Sequence, residues 1–91
     1  MRLIIAYDIT DDRRRRRLAK ALEGCATRVE YSVFETDASR ESERRIRRII
    51  EKEASPAEDH VRLYRVCRGC ESRTWIWGSG GFVDAPEDAV Y

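Results

Sequence analysis

Long apolar runs, paired cysteines and histidine are what this 91-residue chain has least of. Its longest apolar stretch, Leu3-Ile4-Ile5-Ala6-Tyr7, falls far short of the roughly 20 residues that a bilayer crossing needs. It follows Met1-Arg2 and runs into Asp8 without the small-residue cleavage site of a secretory signal, so the chain reads as cytoplasmic with no membrane partner. Three cysteines are an odd number, set among ordinary helix and strand patterns, which argues against a secreted disulfide scaffold. Cys67-Arg68-Gly69-Cys70 has metal-ligand spacing, but Cys25 and the single histidine, His60, are the only further sulfur or nitrogen candidates. A closed zinc site would need both, or a second copy of the chain. The better reading is a strand-to-strand turn that carries two thiols. A chain of this length holds one domain and buries little surface, so size alone raises the expectation of a partner subunit.

The net charge of +1 says little, but its distribution says more. Sixteen of the eighteen basic residues are arginine, clustered at Arg13–Arg17 and at Arg40, Arg44, Arg45, Arg47 and Arg48. Arginine presents a planar fork of donors that matches phosphate oxygens, which lysine lacks. The second cluster interleaves with Glu41, Glu43, Glu51 and Glu53 and reads as a solvated, self-neutralising helix face. The first cluster does not.

Met1–Tyr7 reads as a strand with both alternating faces apolar. Thr10-Asp11-Asp12 supplies an N-cap for a helix running to about Ala21–Glu23, with Gly24 as its stop and a core stripe of Leu18, Ala21, Leu22 and Cys25. Arg28–Glu35 alternates as a strand, with Val29, Tyr31 and Val33 on one face and Arg28, Glu30, Ser32 and Phe34 on the other. Asp37 or Ser39 caps a second helix whose inner positions are Ile46, Ile49 and Ile50, and Ser55-Pro56 ends it. A further strand fits Val61–Val66, a turn Cys67–Ser72, and another strand Thr74–Trp77 with alternate aromatics. The order is β-α-β-β-α-β if the third strand pairs back into the sheet before a fourth follows, or β-α-β-α-β-β read literally, with a single long strand between the helices because no turn residue interrupts Val29–Glu35. Either way the fold class is α+β, an antiparallel or mixed sheet with two helices on one face, for which a ferredoxin-like sandwich is the natural candidate.

The opposite face, with Ile4 and Ala6, then needs a cover, and a second copy in a two-fold homodimer supplies one. The domain is taken as residues 1–77, and 78–91 as a Gly-rich hinge and tail. Phe82-Val83-Asp84 would form a short strand there, added to an exposed sheet edge, its own or its partner's.

Asp8 closes the first strand near the positive end of the following helix. Magnesium is held by one or two carboxylates, water and substrate phosphates, so one aspartate per protomer suffices if symmetry pairs them. Arg14 and Arg15 fall on the stripe of Leu18 and Leu22, where a cation must snorkel past the sheet end or meet an anion. Phosphodiester binding at this rim is the sharpest inference from the residues themselves.

Two segments carry a more specific resemblance. The first is the apolar strand ending in Tyr7-Asp8-Ile9, followed by Thr10-Asp11-Asp12 and an arginine-rich helix ending in Leu18-Ala19-Lys20. The second is Arg28-Val29-Glu30-Tyr31-Ser32-Val33-Phe34-Glu35. Together they resemble the CRISPR-associated Cas-two family, the small partner of the Cas-one integrase in spacer acquisition, closely over residues 1–36 and more loosely thereafter. The resemblance implies the β-α-β-β-α-β order, a homodimer with the partner's C-terminal strand added to the sheet, and Asp8 of each subunit flanking the two-fold axis to hold Mg2+. By matching positions it implies Tyr7, Arg15, Arg17, Arg28 and Phe34 as further site residues, to which the stripe argument adds Arg14. It also implies two roles, an adaptor that bridges integrase dimers and clamps protospacer DNA, and a Mg-dependent endonuclease acting on RNA or duplex DNA. The adaptor is the favoured physiological role, because one carboxylate without a histidine or lysine base is a thin catalytic set. A free-standing toxin-like ribonuclease on the same fold is the alternative. Glu30 stands where the family usually has glutamine, and Cys25-Ala26 where it has an aromatic-glycine pair. Both bear on substrate preference more than on Asp8.

Overall fold

The computed structural model describes residues 1–78. These form β1 (Arg2–Asp8), α1 (Asp12–Glu23), β2 (Thr27–Glu30), β3 (Val33–Asp37), α2 (Arg40–Glu53), β4 (His60–Val66) and a short α3 (Arg68–Ser72). The four strands make one antiparallel sheet in the order β2-β3-β1-β4. Of the two element orders the sequence left open, β-α-β-β-α-β is the one observed, and the fold is the ferredoxin-like α+β sandwich.

Both long helices start where side-chain oxygens can satisfy their free N–H groups. Asp11 accepts from the Arg14 backbone N–H at 2.9 Å, and Ser39 accepts from that of Ser42 at 3.0 Å. Asp37, the other candidate cap, instead ends β3 and accepts from the Ser42 hydroxyl at 3.5 Å. Gly24 does end α1, but at φ −76°, where any residue is comfortable. Leu3, Ile5 and Tyr7 of β1 meet Phe34 of β3, Leu18, Ala19 and Leu22 of α1 and Ile46 of α2 in a single buried cluster. Ala19 takes the buried position that the helical stripe assigned to Ala21, which is half-buried. The α1 stripe is therefore rotated slightly toward the sheet. Ile4 and Ala6 lie on the opposite face, half-buried, and neither long helix packs there.

Three segments depart from the sequence reading. Arg28–Glu35 is not one strand but a hairpin that turns at Tyr31-Ser32. The pairings Arg28↔Phe34 and Glu30↔Val33 leave Val29 as one extra residue, a bulge. The bulge lets the chain reverse without glycine or asparagine and with no non-glycine residue at positive φ, so the usual hairpin signature is missing. Cys67–Ser72 is a short helix capped by Cys67, not a simple turn. Thr74–Trp77 pairs with no strand among the described residues, and Trp75 and Trp77 are 84% and 71% exposed. The two sides of β1 are already taken by β3 and β4, so an alternating segment arriving this late finds no inner place in the sheet. The C-terminal strand expected at Phe82–Asp84, and nearly all of the 78–91 tail, lie outside the described residues.

Candidate functional site

Asp8 is the last residue of β1, opposite His60 of β4. Because side chains alternate along a strand, it continues the row of Arg2, Ile4 and Ala6 on the sheet face away from the long helices. Its carboxylate is exposed, and no hydrogen bond or ion pair holds it among the described residues. Its oxygens are thus available to a cation. Among the described residues no group of three histidine, cysteine, aspartate or glutamate side chains could hold a metal. One carboxylate alone is a donor of the kind magnesium accepts, with water and phosphate taking the remaining positions, and it makes no closed metal site within a single copy of the chain.

Tyr7 points to the other face, into the core, where its ring stacks on Phe34 with centroids 6.3 Å apart. The hairpin brings Arg28 directly opposite Phe34, and the guanidinium carbon lies 5.3 Å from the centre of that ring. Burial raises the Tyr7 hydroxyl above its usual range, a shift that the charge of Arg28 and its hydrogen bond to the tyrosine oppose. Tyr7 is therefore a neutral hydroxyl at physiological pH. Arg15 arches over the β1–α1 connection, donating to the Ile9 carbonyl at 3.0 Å and to that of Thr10 at 3.5 Å while pairing with Asp12. It does meet an anion, as its position on the apolar stripe required, but one from its own helix. Tyr7, Arg15 and Arg28 line a concavity of about 190 Å³ together with Arg16, Ala19 and Tyr31.

The structure thus gathers Tyr7, Arg15, Arg28 and Phe34, and places Arg14 and Arg17 elsewhere. Arg14 makes a two-pronged pair with Asp59, at 2.9 and 3.1 Å. The Asp59 side chain is closed off from solvent and also accepts the Ser55 backbone N–H at 2.7 Å. Arg17 meets Glu53 of α2 at 3.2 Å. These arginines tie α1 to the α2–β4 side of the fold. Asp59 and Glu53 were missed because ion pairs across 45 and 36 residues leave no periodic trace. Arg16 and Tyr31 were also missed: Tyr31 sits at the turn of the hairpin, which the sequence did not show, and Arg16 lies next to Arg15 on α1. Arg13 and Arg16 are exposed and carry no ion pair among the described residues.

The Arg14 hydrogen bond, with that from Ser55, holds the Asp59 carboxyl below its ordinary value. A depressed folded-state pKa stabilises the native protein above the unfolded value, about 3.9, and that contribution is lost as pH falls through the folded one. Asp59→Asn is expected to lower the thermal midpoint at neutral pH and to flatten the acid limb of the stability profile, as read by circular dichroism melts at graded pH. An acid limb identical to the parent's would contradict this assignment.

Cys67 and Cys70 are exposed and reduced, and Cys25 is buried. The Cys70 backbone N–H donates to the Cys67 sulfur at 3.4 Å and is the main reason the Cys67 thiol lies below its usual value, whereas Cys70 is raised by the neighbouring Cys67. Since the thiolate is the nucleophile, iodoacetamide is expected to modify Cys67 before Cys70 and Cys25 at neutral pH. Peptide mass mapping of a time course checks the order.

The sequence signature of the family described as CRISPR associated protein Cas2 matches residues 1–74. A CRISPR-associated endoribonuclease Cas2 from Synechocystis is 38% identical over 91 residues, covering 96% of this chain and 95% of that protein. One from Thermus thermophilus is 42% identical over 79 residues, covering 87% and 84%. Among solved structures, a hypothetical protein from Thermus thermophilus superposes with a TM-score of 0.69 at 35% identity, covering 72% of this chain and 80% of that one. Streptococcus pyogenes Cas2 superposes at 0.72 and 23% identity, covering 86% and 100%, which supports the shared fold.

Proposed function

Since the chain belongs to the CRISPR associated protein Cas2 family, we propose that it acts in spacer acquisition as a homodimer that binds nucleic acid, bridges the Cas-one integrase, and carries a magnesium-dependent endonuclease centre at the dimer seam. One observation carries this reading: the free carboxylate of Asp8 follows Ile4 and Ala6 in a row on the sheet face that neither long helix covers. A second copy laid on that face would bury the two apolar side chains and bring two Asp8 carboxylates to one axis. The pair would hold Mg2+, which polarises a phosphodiester and makes a bound water acidic. RNA is the favoured substrate of cleavage, because the Cas2 relatives are named as endoribonucleases. Exposed Arg13 and Arg16 at the start of α1 would meet phosphates without regard to base sequence.

The cytoplasm fits this work, and no helix among the described residues is long and apolar enough to cross a membrane. Light scattering on the full chain, followed by incubation with labelled single-stranded RNA and duplex DNA with and without Mg2+, tests the proposal. A dimer that cleaves RNA only with the metal and co-purifies with the integrase is the expected result. A monomer at micromolar concentration, with no cleavage and no integrase bound, would overturn it.

A further inference from the structure

We infer that Cys67 and Cys70 form a thiol–disulfide redox pair, in which the Cys67 sulfur attacks a low-molecular-weight disulfide and Cys70 resolves the adduct. Both thiols are exposed, whereas Cys25 is buried in the core cluster, so packing accounts for Cys25 and not for the other two. One helical turn spans the pair. The Glu71 backbone N–H donates to the Cys67 carbonyl at 2.8 Å, and that of Cys70 reaches the Cys67 sulfur at 3.4 Å. Positions three apart on a helix hold their β-carbons about 5–6 Å apart, little more than the roughly 3.5–4.5 Å that a disulfide spans. Cys67 lies just outside α3 with extended backbone, so its side chain can rotate to narrow that gap while the helix stays intact. Gly69 leaves the flank of the sulfur open, since a β-carbon there would stand 3.9 Å from it.

The order of attack follows from the same amide hydrogen bond, which favours the Cys67 thiolate, while the neighbouring sulfur keeps Cys70 protonated. Glu71, the acid beside them, is paired with Arg2 at 3.1 Å and with the Met1 ammonium at 3.6 Å, and Arg73 hydrogen-bonds Cys70. The Cys67 thiolate bonds to one sulfur of the incoming disulfide and expels the other half as a thiolate, which takes up a proton. The Cys70 thiol then loses its proton, bonds to the Cys67 sulfur and expels the second half. The chain gives up two electrons and two protons, and the small disulfide becomes two thiols. The loop so closed is four residues long, and a loop that short constrains the unfolded chain little, which suits a reversible bond better than a structural staple. Among the described residues no third histidine, cysteine, aspartate or glutamate joins the pair to hold a metal.

The test incubates the full chain with excess glutathione disulfide at neutral pH, then quenches with acid, alkylates and maps the peptides by mass. Thiols titrated in denaturant should fall from three to one per chain, with Cys67 and Cys70 linked within one copy and both recovered by dithiothreitol. C70S should stop at a glutathione adduct on Cys67, and C67S should take up glutathione far more slowly. Three thiols retained, a bond between copies, equal uptake by the two variants, or zinc that stays on the purified chain through dialysis against EDTA overturns the inference. Should C67S fail to fold, the time course of the parent gives the same answer, since an adduct on Cys67 must precede the linked pair and one on Cys70 must not. Asp8→Ala should oxidise like the parent, because the chemistry needs neither that carboxylate nor magnesium, so failure of the cleavage proposal and failure of this one are read separately.

Discussion

Alanine in place of Asp8 is expected to reduce Mg-dependent RNA cleavage by on the order of 100-fold or more, the effect of removing one group that stabilises developing charge at a reacting phosphate. Thermal stability should barely change. Asp8 is exposed and its carboxylate holds no partner among the described residues, and substitutions at such positions stay within about 0.5 kcal/mol. Asp8→Asn isolates the charge, since it keeps the shape and should lose the metal response equally. Cleavage that survives both variants and still stops on chelation would place the metal elsewhere and sink the seam as a catalytic centre. If the dimer bridges the integrase as an adaptor, spacer integration in cells should continue with Asp8→Ala.

The second large effect is structural. Phe34→Ala is expected to cost about 3–5 kcal/mol, as large-to-small changes at fully buried aromatic positions do. Phe34 is 0% exposed, stacks with Tyr7 and lies under the Arg28 guanidinium. For a domain whose whole stability is about 5–15 kcal/mol, this takes a large share, and urea unfolding should show the midpoint collapse. Phe34→Leu should recover much of the loss by refilling the volume, leaving Arg28 without the ring it rests on. A Phe34→Ala cost below about 1 kcal/mol would mean that the ring is not packed as described.

What the sequence announced and what it hid have physical reasons. β1 was legible because a short run apolar on both faces has few homes other than an inner strand, and it lies between β3 and β4. Both long helices were legible from their caps and from Leu18, Leu22 and Ile46. The β2–β3 hairpin was hidden because its bulge at Val29 replaces the glycine or asparagine that normally marks a tight reversal. Alternation still put Arg28 and Phe34 on the same face, and they do meet, although as cross-strand neighbours rather than along one strand. At the candidate site, Asp8 and the Tyr7, Arg15, Arg28 and Phe34 group could be named from local pattern and resemblance. The engagement of Arg14 and Arg17 by Asp59 and Glu53 could not, because it depends on where the loop before β4 and the end of α2 come to rest.

The sheet has two rims of unequal character. β2 is four residues long and distorted by its bulge, whereas β4 runs seven residues in unbroken register with β1. Among the described residues, the β4 rim is the one that presents a regular ladder of amides and carbonyls to which another strand could be joined. Whether strand addition there closes or propagates is then a matter of symmetry: exchange that is reciprocal about a two-fold axis fills both receptive edges and stops at a pair, whereas one-way donation would leave an edge open for the next copy.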